Sequence, residues 1–187
     1  MVHASPGEIT VALGAYSLGQ FVGAPLWGKL SDRYGRRPVL LVGMGAYVMA
    51  STACAFAPSM DWLIAGRILQ GIAMGAAVMA ARAVVRDLYG PVDGARVMSK
   101  ALTGLGVIAC LCAPLGGLLT DLAGWRSALL ALTVFGGLTW CLLWFRFRET
   151  LREKNNQAFH PPSLLRAWME ILRNPTFRAY CALSATS

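Results

Sequence analysis

"GKLSDRYGRRPVLL", residues 28–41, packs five charged residues (Lys29, Asp32, Arg33, Arg36 and Arg37) into nine positions between two stretches that are almost free of charge. Gly28 and Gly35 allow a tight turn and close backbone approach. Pro38 suits the first position of a helix that follows. A loop that only sets topology needs the basic residues alone, so Asp32 is the informative one: a carboxylate there can meet a helix N-terminus or a nearby arginine.

The flanking composition says what this hinge joins. The chain has 187 residues, 56% hydrophobic and 14% charged, with mean hydropathy +0.53. Soluble domains carry about 25% charged residues; a chain solvated by lipid carries fewer, because a charge in hydrocarbon costs kilocalories. The net charge of +8 sits in clusters between apolar runs rather than on one polar face, which argues against nucleic acid. Cys54, Cys110, Cys112, Cys141 and Cys181 all lie in apolar runs with no CxxC pair, and His3 and His160 are distant. They read as packed thiols, with no metal and no cofactor implied. The opening "MVHASPGEIT" is no signal peptide; Ser5 as N-cap, Pro6 at the first helical position and Glu8 three residues after the cap read as a helix start.

A membrane-spanning helix needs about 20 apolar residues. Five runs approach or reach that: 9–27, 38–57, 62–81, 101–120 and 128–145, each with closely spaced small residues that let helices approach. The chain turns polar after 145, shows a short amphipathic stretch, "SLLRAWMEILR", suited to the membrane interface, and ends on what reads as half of a sixth span. The expected architecture is an all-α membrane protein. Residues 1–147 form a partial helix bundle, 148–176 a cytoplasmic connection, and 177–187 the truncated start of a second bundle.

Orientation follows from the basic residues. Lys29, Arg33, Arg36 and Arg37 follow the first span. Arg82, Arg86, Arg96 and Lys100 lie between the third and fourth. Arg146, Arg148, Arg152, Lys154, Arg166, Arg173 and Arg178 follow the fifth. Of the 17 basic residues only Arg126, on the opposite side, and Arg67, inside a span, fall elsewhere. The basic connections are therefore expected in the cytoplasm and the N-terminus outside. A chain that begins outside with no preceding span, and stops halfway through another, is expected to be cut from a larger protein at both ends.

The pattern Gly-x-Leu-x-Asp-Arg-x-Gly-Arg-Arg, carried by Gly28, Leu30, Asp32, Arg33, Gly35, Arg36 and Arg37, closely resembles the cytoplasmic loop between the second and third helices of the major facilitator superfamily. The resemblance implies that the aspartate clasps the other half of the transporter when it faces outward. It also implies that the second arginine pairs with an acid at the end of the fourth helix, for which Asp87 in "VVRDLY" is the candidate. The hinge is then a latch that forms and breaks during the cycle; a salt-bridged loop that only sets topology is the competing reading.

"LIAGRILQGIAMGAA", residues 63–77, puts Arg67 near the start of a span, where a charge costs about 2.5–3.5 kcal/mol or more. Such a residue needs a partner or a water-filled cavity, unless it snorkels to the interface. Gln70 and Gly71 follow at i+3 and i+4, so one face carries an arginine, an amide and a gap. The pattern resembles the family's fourth-helix motif, Arg-x-x-Gln-Gly-x-x-x-Gly, which implies that the arginine modulates protonation of a nearby carboxylate. In "GVIACLCAPLGGLLTD", Pro114 removes a backbone donor mid-span, and Gly116 and Gly117 offer a smooth face. This resembles the fifth-helix motif of antiporters, with Ala113 replacing a glycine and the paired glycines one position early. A packing kink is the alternative.

With "AYSLGQ", "ARAVVRDLYG", "GGLLTDLAGWR" and "RETL", the chain resembles the Bcr/CflA branch of drug–proton antiporters, over helices two to six and the start of seven of twelve. All nine acidic residues fall at span ends or in connections. No embedded carboxylate is there to carry a proton; in the family that acid is commonly on the first helix. Tyr16, Gln20, Phe21, Arg67, Gln70, Met74, Val107 and Cys110 are candidates to line a substrate cavity, although at helical spacing they also suit ordinary packing.

The resemblance implies efflux of a small amphipathic substrate in exchange for protons, by rocking of two halves and without covalent chemistry, in a multi-pass protein of a bacterial inner membrane. The alternatives are a transporter of a sugar or metabolite, or a truncated membrane fragment that does not transport. An enzyme is not expected: the spans carry no paired acids and no embedded histidine.

Overall fold

In hydrocarbon every backbone N–H and C=O must be satisfied within its own segment, so long apolar runs fold as helices. The computed structural model describes residues 6–151, and these form five helices: α1 (Pro6–Tyr34), α2 (Arg36–Ala55), α3 (Met60–Leu88), α4 (Pro91–Ala123) and α5 (Trp125–Arg146). Ser5, the amphipathic stretch and the half-span at the end lie outside the described residues.

By length and composition α2, α3, α4 and α5 are apolar enough to cross a membrane. At 29 residues α1 has the length as well. Its small and polar positions Tyr16, Gly19, Gln20 and Gly23 are where α3 packs.

The helices overrun the apolar runs. α1 continues past Trp27 to Tyr34, because a helix costs nothing extra where it leaves hydrocarbon for water. This corrects the reading of Gly28: it lies inside α1 with open space around it and makes no turn. Gly35 alone breaks the chain, at φ 109°, a conformation that favours glycine. α2 then starts at Arg36, so Pro38 is its third residue rather than its first, still within the turn whose N–H groups have no intrahelical acceptor.

Small residues set the packing. On α1, Gly19 and Gly23 lie against the backbone of Ile68 and Ile72; on α3, Gly71 and Gly75 lie against the backbone of Tyr16 and Ala24. The two backbones thus touch, which only residues without bulk permit. Trp27 Nε1 adds a hydrogen bond to the Ile72 carbonyl at 2.7 Å. α3 also packs on α2, with Gly43 against Ala76 and Gly66 against Cys54 Sγ. α2 packs in turn on α5, where Gly136 faces the Tyr47 ring and Trp140 Nε1 donates to the Leu41 carbonyl at 2.9 Å. The buried hydrophobic core is accordingly mostly Ala, with few large side chains. The large side chains point outward, Phe145 at 80% and Leu122 at 77% exposure, as expected where lipid is the solvent.

α4 is the exception. Among the described helices it touches only α3 and α5, and none of its 33 residues is buried.

Candidate functional site: a charged knot at one end of the bundle and an arginine within it

The ends of three helices, and the segment that follows α5, meet at Arg36. Its side chain is 3% exposed and bridges two acids: Nη1 to Asp32 Oδ1 at 2.6 Å, one turn back on α1, and Nε to Asp87 Oδ2 at 3.0 Å, at the end of α3. Nη1 also donates to Ser31 Oγ at 3.0 Å. Counted from Arg33, Arg36 is the second arginine of the pattern, and Asp87 is its partner on α3. A buried guanidinium is tolerable only when its donors find acceptors; here three acceptors engage Nε and Nη1.

The other arginines are placed differently. Arg33 lies over the Tyr34 ring, 5.4 Å from its centroid. Arg37 is exposed and donates from Nη2 to the Trp144 carbonyl at 2.9 Å, satisfying one of the last carbonyls of α5.

Glu149 completes the knot. Its carboxylate accepts from four backbone N–H groups: Oε1 from Arg36 at 2.9 Å, Thr150 at 3.1 Å and Leu151 at 3.0 Å, and Oε2 from Arg37 at 3.1 Å. Burial pushes this carboxyl up, but the four donors outweigh it and hold it below the usual carboxylate value. The sign follows: stability from this contact is complete above the unfolded carboxylate pKa and is lost only as the pH falls through the lower folded one. The amide protection of Arg36 and Arg37 is thus expected to be the same at about pH 8 and pH 6, as hydrogen exchange corrected for intrinsic rate would read.

Inside the bundle, Arg67 Nη1 donates to Gln70 Oε1 at 3.0 Å, and Gln70 Nε2 donates to Ser51 Oγ at 2.7 Å. Gln70 is 1% exposed. It therefore points into α2 and anchors Arg67 rather than lining a cavity with it. Arg67 is half-buried and near enough to Tyr16 and Cys54 to act on both electrostatically. Gly71, read as a gap, is filled by the α1 backbone at Tyr16.

The remaining candidates separate. Tyr16, Gln20 and Met74 are half-buried and Phe21 is exposed, on the adjoining helices α1 and α3. Val107 and Cys110 are exposed on α4, which does not touch α1. The described residues therefore do not assemble the eight candidates into one pocket. Pro114 lies within an unbroken α4, and Gly116 and Gly117 face open space. Among the described residues nothing packs on that face. Reading the sequence did not single out Glu149 as part of the knot, nor Pro25, a second proline inside a helix.

Tightly packed apolar helices whose ends are tied by a buried arginine are the build of a helical transporter bundle. The chain belongs to the Major Facilitator Superfamily, whose family profile it matches over residues 2–187. It is 35% identical over 137 residues to Multidrug resistance protein D of Escherichia coli K12, covering 73% of this chain and 35% of that one. It is 32% identical over 150 residues to Multidrug resistance protein MdtL of Shigella flexneri serotype 5b (strain 8401), covering 80% of this chain and 38% of that one. Among solved structures it resembles the human organic anion transporter MFSD10 (TETRAN), with TM-score 0.66 and 26% identity, over 82% of this chain and 35% of that one. The chain thus spans little more than a third of the length of these relatives.

Proposed function

We propose that the protein exports small amphipathic molecules in exchange for protons, with the knot at Arg36 as the latch of the transport cycle and Arg67 as its coupling residue. The observation that carries this reading is the bridge from Arg36 to Asp32 and Asp87. It joins three helices through one buried cation, and Asp32 remains 45% exposed, open to a partner beyond this bundle. The drug-resistance names of the relatives favour efflux, and the latch belongs on the cytoplasmic side with the other basic connections.

Arg67 supports coupling because the protein holds a cation inside the membrane with a neutral partner. Gln70 satisfies one of its five donors, leaving capacity for a carboxylate or a substrate. Arg67→Ala is expected to abolish proton-driven efflux while membrane abundance stays close to wild type. Efflux of a fluorescent cation from cells lacking their own exporters, with and without a protonophore, checks it. Wild-type efflux in the mutant would reduce Arg67 to a snorkelling residue.

A second reading rests on the same charge. A cation at that depth suits an anionic substrate, and the solved relative is named an organic anion transporter. A matched panel of cationic and anionic dyes separates the two.

A further inference from the structure

We propose that Glu149 is a positioning residue of the latch: its carboxylate serves as the N-terminal cap of α2 and fixes the backbone from which Arg36 reaches Asp32 and Asp87. This rests on the latch reading above.

The N-cap residue of α2 is Gly35, which has no side chain to offer the first N–H groups. The first N–H groups of a helix need acceptors, and Ser, Thr, Asp or Asn usually supply one locally. Here the acceptor comes from 113 residues away in sequence. A carboxylate is the strongest choice, because it meets both the free donors and the positive end of the helix dipole.

The fit constrains its neighbours. A Cβ at residue 35 would collide with Glu149 Oε2, so glycine there serves two ends: it adopts the positive φ and leaves room for the carboxylate. Arg37 returns the contact by binding the Trp144 carbonyl. The two helix ends are therefore tied twice, the segment just after α5 capping the start of α2 through Glu149 and α2 binding the end of α5 through Arg37. Arg36 lies between the two, with its amide held by Glu149 and its guanidinium holding α1 and α3. Motion at the end of α5 is thereby transmitted to the latch.

The two oxygens make the test sharp. In Glu149→Gln one oxygen becomes an NH2 group. Oε1 serves three donors and Oε2 serves Arg37 alone, so whichever oxygen is replaced, a donor meets a donor. Glu149→Asp keeps both acceptors on a shorter arm and is expected to fall between.

The experiment compares wild type, Glu149→Gln, Glu149→Asp and Asp32→Asn in the protein as its gene encodes it, by hydrogen exchange of the segment 36–40 and by turnover in vesicles. The expected result is exchange faster by about tenfold in Glu149→Gln, from loss of a cap. Turnover should fall as far as in Asp32→Asn with little change in KM, and Glu149→Asp should recover part of both. Unchanged exchange would overturn the capping. Faster exchange with normal turnover, while Asp32→Asn is impaired, would overturn the positioning role and leave the latch standing. Normal turnover in Asp32→Asn would overturn the latch reading, and the positioning role with it.

Discussion

Arg36→Ala is expected to remove transport altogether and to destabilise the bundle by about 3–5 kcal/mol, the usual cost of breaking a buried ion pair from one side. The asymmetry of the site explains the size. With Arg36 gone, the carboxylates of Asp32 and Asp87 face each other with no cation between them, and Asp87 is only 18% exposed. Ser31 Oγ, 1% exposed as a residue, loses its donor as well. Asp32→Asn is milder: it leaves Arg36 with Asp87 and Ser31, so turnover falls while insertion is nearly intact. Thermal unfolding in detergent, with ligand-independent fluorescence as the readout, separates the two. An Arg36→Ala protein as stable as Asp32→Asn would show that the bridge carries little energy.

Gly71→Val is expected to prevent a stable bundle from forming. A Cβ at 71 would occupy the space of the Tyr16 carbonyl and crowd the Gln20 amide. Both are backbone groups inside α1, so no side chain can turn aside. The helices must separate, which breaks the companion contacts of Gly19, Gly23 and Gly75 and strains the Trp27 bond to Ile72. Overpacking usually costs about 1–3 kcal/mol; at a backbone–backbone contact repeated over two turns the cost is expected at or above the upper end. Gly116→Val on α4 is the control, since that position is open. Equal expression of the two variants would contradict the packing described here.

The difference between these positions shows what a sequence can and cannot disclose. The apolar runs marked the helices because hydrocarbon leaves the backbone no alternative. The loop pattern and the Arg67–Gln70 spacing were legible because each lies within ten residues or so. Three things were not. Gly28 read as a turn residue because glycine breaks helices in water, whereas α1 carries it among helix-forming neighbours at the membrane edge. Gln70 read as a cavity residue, but helical spacing gives the face a residue shares with Arg67, not which neighbour that face meets; Ser51, on a different helix, decided it. Glu149 was invisible as a cap because its partners lie 112 and 113 residues away. The missing local signal was negative: α2 opens "YGRRP" with no Ser, Thr, Asp or Asn to cap it, so an acceptor had to come from elsewhere.

The pocket candidates fared differently for a related reason. Val107 and Cys110 share an apolar helix with Pro114, and composition alone cannot say which of its faces meets α1, lipid or another bundle. In the structure that helix stands at the edge, with every residue at least partly exposed.

The central claim, that this is an exporter governed by a latch at Arg36, is tested most directly by dye accumulation in cells lacking their own exporters. The cells would express the protein as its gene encodes it, or the Asp32→Asn variant at matched membrane abundance. The account predicts low accumulation with the wild type, a rise to the level of empty cells with a protonophore, and the same rise with Asp32→Asn alone. Accumulation equal to that of empty cells for the wild type, across cationic, neutral and anionic dyes, would contradict it.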